Sequence, residues 1–143
     1  MTIRTIQHHT PEYEQMIALR IKVLLQPIGV PPSYINREKE KEDILIGAFE
    51  NGTIAGCCVL TPKNAHTVQL RQMAVATEQQ GSGIGAAIVA FAEQVAKEHH
   101  FTRLMMHARS AVAGFYLKSG YTIVGDEFEE VGIAHRIMQK ELH

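Results

Sequence analysis

The chain predicts a mixed α/β fold (α+β in character): one domain built on a mostly antiparallel sheet with flanking helices. Two observations carry this. Its 143 residues, 45% of them hydrophobic, match one globular domain with a core of its own. Short apolar runs rich in β-branched residues alternate with three helical segments, in the order β-α-β-β-β-α-β-α-β-β. No repeat, linker or low-complexity segment divides residues 1–143, so they are read as a single domain.

Thr2–Ile6 reads as a short strand. Thr10 then suits a helix N-cap, with Pro11 at the first helical position. Met16, Leu19, Ile21, Val23 and Leu24 supply that helix's apolar content, and Pro27 must end it. Gln26–Ser33 is a Pro/Gly-rich loop, and the charge run Arg37–Asp43 reads as a solvated helix or loop. Strands are expected at Ile44–Phe49 and Thr53–Leu60, joined through Asn51-Gly52, a strong hairpin signal. A further strand covers His66–Val75. Ile84, Ile88, Phe91 and Val95 then recur at helical spacing. Arg103–Ala108 is a strand, Ala111–Lys118 a short helix, and Tyr121–Val124 and Ala134–Lys140 are the last strands.

Composition excludes several function classes. With 14 Lys+Arg against 15 Asp+Glu, the chain lacks the basic excess of a nucleic-acid binder. Its longest charge-free stretches, Val23–Asn36 and Gln79–Ala92, fall short of the roughly 20 apolar residues that span a bilayer. The first residues hold no apolar segment of signal-peptide type. Cys57 and Cys58 are adjacent and cannot frame a disulfide scaffold, and a reducing, cytoplasmic setting is expected. Neither His8-His9 nor His99-His100 has metal-ligand spacing, and no metal is expected.

The most informative segment runs from Val75 to Ala86, where a strand ends, three glycines fall within five positions and a helix begins. Glycine lets backbone N–H groups converge on one anion, and a helix N-terminus adds partial positive charge. This is the physics of a phosphate cradle. A Walker loop fails, because Ala86-Ala87 stand where Lys and Ser/Thr are required. A dinucleotide fingerprint is matched in form by Gly81-x-Gly83-x-x-Ala86. However, His107-Ala108-Arg109 occupies the region of its acidic partner, and no second nucleotide-binding half exists.

Gln80-x-x-Gly83-x-Gly85 resembles the (Arg/Gln)-x-x-Gly-x-(Gly/Ala) motif of the GNAT N-acetyltransferase family. One helix and one strand later, Phe115-Tyr116-Leu117-Lys118-Ser119-Gly120-Tyr121 is similar to that family's aromatic-Tyr-x-Lys-x-Gly-(Phe/Tyr) segment. Leu70–Val75, His107–Arg109 and the stretch Gly125–His135 further resemble a small bacterial single-domain subgroup. Its Gly-Ile-Pro-His is here Gly132-Ile133-Ala134-His135. Arg109 and Val112 depart from the Asn and Ala common in the wider family.

The resemblance implies an acetyltransferase that uses acetyl-coenzyme A and needs no metal. Its acceptor would be a primary amine of a small molecule or peptide, and a homodimer is compatible with it. Cofactor contacts fall on Met73, Ala74, Val75, Gln80, Gly81, Ser82, Gly83, Ile84, Gly85, Ala86 and Lys118. The strand Met73–Val75 would splay from its neighbour to pair with pantetheine, an amide of Ala74 or Val75 facing the thioester oxygen. Tyr116 would protonate the departing thiolate, although it can also be read as a packing aromatic. The base is open among His107, His135 and water, and each lone histidine is expected to be structural. A rival from another class is a non-catalytic acyl-CoA-binding regulatory module, which needs the cradle but not Tyr116. A nucleotide-binding regulator, recognising ATP or NAD instead of coenzyme A, is a further rival.

Overall fold

The computed structural model describes residues 1–143. Its ten main elements are β1 (Thr2–Ile6), α1 (Pro11–Arg20), β2 (Ile44–Glu50), β3 (Thr53–Pro62), β4 (Thr67–Val75), α2 (Ile84–Glu98), β5 (Arg103–Arg109), α3 (Ala113–Lys118), β6 (Thr122–Glu130) and β7 (Ile133–Glu141). The strands form one seven-stranded sheet in the order β1-β2-β3-β4-β5-β7-β6, antiparallel except where β4 meets β5. Helices cover both faces, so the central strands are buried on both sides and read as continuous apolar runs.

Two cores result. On one face Met16 and Ile17 of α1 pack over Leu45, Phe49, Cys57 and Val59. On the other, Ile84, Ile88, Val89, Ala92 and Val95 of α2 pack over Ile46, Cys58, Leu60 and Val68. Cys57 and Cys58 are neighbours on β3 and therefore point to opposite faces, one into each core. Both thiols are free and buried, and burial pushes Cys57 up to about 12.

Thr10 caps α1 as expected, its hydroxyl accepting from the Tyr13 amide at 3.3 Å. Asn51 and Gly52 take φ of 51° and 80°, as the tight β2–β3 hairpin requires.

Three readings of the sequence need correction. The α1 helix ends at Arg20, after which Ile21–Leu25 forms one wide turn and Gln26–Ile28 a tighter one around Pro27. Ile21, Val23 and Leu24 therefore leave the helix. The run Arg37–Asp43 is not wholly solvated. Glu40 is buried against Arg20, whose guanidinium donates to both its carboxylate oxygens, and Asp43 is buried near Arg71. Finally, β6 does not stop at Val124. After an irregularity between Val124 and Phe128 it continues through the acidic stretch to Glu130. As the outermost strand it tolerates charged side chains that an interior strand would not.

Candidate active site

The parallel pairing of β4 with β5 runs only from Thr67↔Arg103 to Leu70↔Met106. Beyond it the strands diverge, and the edge of β4 from Arg71 to Val75 that faces β5 has no ladder partner. The cause lies in a bulge. Cys57 pairs with Ala74 but Val59 with Arg71, so Gln72 and Met73 together oppose Cys58. Gln72 adopts φ of 55°, which bends the strand away from β5.

The divergence opens a cleft of about 930 Å³. At one end lies the glycine turn. Gly81 and Gly83 have φ of 84° and 89°, a region costly for other residues, while no atom lies near enough to exclude a Cβ at either. Their glycine identity thus answers to backbone conformation. Gly83 caps α2 without a side chain, and the first amide of α2 to reach a carbonyl is that of Ala87, on Gly83 at 3.1 Å. The amides of Ile84, Gly85 and Ala86 are left for a ligand. Gln80 donates its amide to the Val75 carbonyl at 3.1 Å and tethers the turn to the end of β4. A Cβ on Gly85 would lie 3.4 Å from the Phe115 ring, so α3 sits directly against the cradle.

Met73, Ala74, Val75, Gln80, Gly81, Gly83, Ile84, Gly85, Ala86 and Tyr116 all line this one cleft. Ser82 and Lys118 do not. The Ser82 hydroxyl donates to the Gln79 carbonyl within the turn, and Lys118 is exposed at the end of α3.

Tyr116 is 5% exposed, edge-on to Phe115 and Tyr121. Tyr121 donates to Glu93 at 2.9 Å, whereas the Tyr116 phenol has no such partner in the chain. Every fully enclosed polar side-chain atom does have one, so the Tyr116 oxygen opens on the cleft. Burial, aided by nearby Cys58, pushes its pKa well above the ordinary value, so it stays protonated at neutral pH.

The opposite wall holds residues to which the sequence reading gave no part in the site. Leu24, Leu25, Ile28, Val30 and Tyr34 come from the turns after α1, and Glu130 and Val131 from the β6–β7 hairpin. His107 and His135, from β5 and β7, stand on either side of Glu130. Continuing the period-2 alternation of β6 past Val124 would have placed Phe128 and Glu130 on one face. No group of three or more His, Cys, Asp or Glu side chains converges as metal ligands.

A family model described as an acetyltransferase (GNAT) domain matches residues 11–142. The chain belongs to the GNAT acetyltransferase family. Over 77 residues it is 38% identical to YyaT of Bacillus subtilis, a match covering 54% of this chain and 52% of that protein. The chain spans about half the length of the curated relatives it matches first. A GNAT family acetyltransferase from Elizabethkingia anophelis with acetyl-CoA bound shares the fold with a TM-score of 0.76, at 24% identity and 99% and 97% coverage. An aminoglycoside 6'-N-acetyltransferase complexed with coenzyme A does so with a TM-score of 0.85, at 16% identity and 100% and 98% coverage. The fold is thus that of these GNAT structures, and no helix is long and apolar enough to cross a membrane.

Proposed function

We propose that this GNAT protein transfers an acetyl group from acetyl-coenzyme A to a primary amine of a small molecule or peptide. One observation carries the reading: the free edge of β4 leads directly into the turn of unpaired amides, with the Tyr116 phenol in the same cleft. An extended pantetheine can add to the free edge as a strand would, placing the pyrophosphate on the amides of Ile84, Gly85 and Ala86. Binding would then hold the thioester between β4 and β5, where the Ala74 or Val75 amide would face its oxygen. Tyr116 would give the departing sulfur a proton. Ser82 and Lys118 would contribute little to the pyrophosphate contact, Lys118 only by reorienting from solvent.

A regulatory acyl-CoA-binding module would need the cradle but no polar group aimed at the thioester. The open Tyr116 phenol favours the enzyme. Two buried, unpaired thiols support a reducing, cytoplasmic setting. The test is an acceptor screen with acetyl-coenzyme A, followed by release of free thiol. Amine-dependent release supports the reading. Coenzyme A binding without release from any amine would favour the regulatory module.

A further inference from the structure

We propose that Glu130 and His135 form the seat for the acceptor's ammonium group, and that the acceptor is a monoamine carrying an apolar body. This rests on the acetyl-transfer reading and names the substrate class of that cleft.

The geometry begins with His135, which is 5% exposed. Its Nδ1 lies 2.7 Å from the Ile133 carbonyl, which can only accept, so the Nδ1 proton is committed there. Neutral His135 then presents a bare lone pair at Nε2. That atom faces Oε2 of Glu130 at 3.7 Å, beyond hydrogen-bond reach. In this neutral tautomer two acceptors face each other with no donor of the chain between them. Since every fully enclosed polar side-chain atom has a partner, Nε2 opens on the cleft. His107 Nδ1 meets the other oxygen of Glu130 at 3.0 Å and fixes the carboxylate from behind. Phe128 packs edge-on to His107 and tilted against His135, and Arg109 lies opposite His135 in the β5–β7 register. A group with several N–H donors satisfies both acceptors at once, and a primary ammonium is such a group.

The remainder of the cleft selects what carries that ammonium. Glu130 is its only acidic residue, set against Arg71 and Arg109. A polycation would meet one anion and two guanidinium groups, which disfavours polyamines and aminoglycosides. The facing wall of Leu24, Leu25, Ile28, Val30 and Tyr34 offers apolar surface instead.

In the step this geometry supports, the ammonium gives one proton to Nε2 of His135. The neutral nitrogen's lone pair forms the C–N bond to the thioester carbon as the C–S bond breaks. Tyr116 gives its phenol proton to the departing sulfur and regains the nitrogen's second departing proton, and the proton on His135 is released to solvent.

The experiment compares phenethylamine, spermidine and kanamycin as acceptors for wild type, Glu130→Gln and His135→Asn. It follows thiol release and, by calorimetry, phenethylamine binding to the coenzyme A-loaded protein. Asn keeps a donor for the Ile133 carbonyl while deleting Nε2. Unfolding temperature and the coenzyme A-induced shift confirm each fold. Should His135→Asn not fold, Glu130→Gln, whose side chain is 40% exposed, decides alone.

Expected are a preference for phenethylamine and a rise of about ten-fold or more in its KM and Kd on Glu130→Gln, the scale of a lost charged hydrogen bond. His135→Asn should lower kcat about 100-fold. Wild-type kcat and KM in both variants, or spermidine preferred over phenethylamine, would overturn the proposal. If wild type acetylates no amine yet binds coenzyme A, the acetyl-transfer reading fails. Calorimetry then judges the seat by itself: loss of phenethylamine binding in Glu130→Gln upholds it, and equal binding overturns it.

Discussion

Arg20 Nε donates to the Gln72 side-chain oxygen at 3.1 Å, tying α1 to the residue at which β4 bulges away from β5. Arg20 is 1% exposed, and its other nitrogens hold the carboxylate of Glu40, which also accepts from Tyr13 at 2.7 Å. The cleft therefore depends on a buried ion pair on the far face of the sheet. Removing one partner of such a pair strands the other without water. Arg20→Met should cost about 3–5 kcal/mol in urea unfolding, and Arg20→Met combined with Glu40→Gln distinctly less. Gln72→Met leaves one guanidinium N–H unpaired, at about 1–3 kcal/mol. Because Gln72 sits at the splay, that variant should also weaken coenzyme A binding, measurable by titration well below its unfolding temperature.

The same cluster sets a pH dependence. Burial works to raise the Glu40 carboxyl, but the hydrogen bonds and charge of Arg20, with Tyr13, outweigh it and hold the group below its ordinary 4.5. A depressed carboxyl stabilises the fold above its unfolded pKa, and this is lost as pH falls through the folded value. Unfolding free energy should drop below pH 4.5, and Glu40→Gln should flatten that drop. Asp43, raised by burial, acts in the opposite sense: its protonated form favours the fold. Asp43→Asn should therefore steepen the acid loss. Equal slopes in all three proteins would remove the cluster from the account of acid stability.

How much of this was legible beforehand divides along physical lines. The glycine turn and the Asn51-Gly52 hairpin are encoded by neighbours in sequence, and local rules recovered them, whereas the Tyr116 segment was singled out by its resemblance to a family motif. Glu40 was not recoverable in that way. Its partner Arg20 lies 20 residues away, and a charged run without its partner reads as surface. Glu130 was hidden for a different reason. An edge strand may be acidic, so composition argued against a strand just where the pairing with β7 imposes one. The wide turn Ile21–Leu25 likewise follows from packing against the sheet, while its apolar residues alone read as more helix.

The cradle makes a direct prediction. Coenzyme A at about 100 times its dissociation constant should stabilise the fold by about 2.7 kcal/mol. Gly83→Glu should abolish this, by forcing a side chain onto a φ of 89° and placing a carboxylate beside the anion site. Gly52→Glu is the control for strain alone. Gly52 has φ of 80°, equally open surroundings and a place in the distant β2–β3 hairpin, so its variant should keep the coenzyme A shift. Stabilisation by NAD with none by coenzyme A would refute the cradle's assignment.

Tyr116 separates acid catalysis from packing. Its ring touches Phe115 and Tyr121 with centroids 4.9 and 6.0 Å away, contacts that Tyr116→Phe preserves. The hydroxyl has no hydrogen bond in the chain to lose, so unfolding temperature and coenzyme A affinity should barely change. What disappears is a proton held ready at neutral pH, because burial keeps the phenol from ionising. General acids contribute about 10²–10⁴-fold, and a thiolate leaves readily enough that the lower end is expected. The fall should appear in kcat with little change in KM for acetyl-coenzyme A, as for an interaction made chiefly in the transition state. A thioester with a more acidic thiol needs less help, so the deficit should shrink with such a donor. A loss of kcat that ignored the leaving group would mean that the hydroxyl positions a water or the substrate instead. Unchanged turnover, with chemistry limiting the rate, would leave Tyr116 as a packing residue.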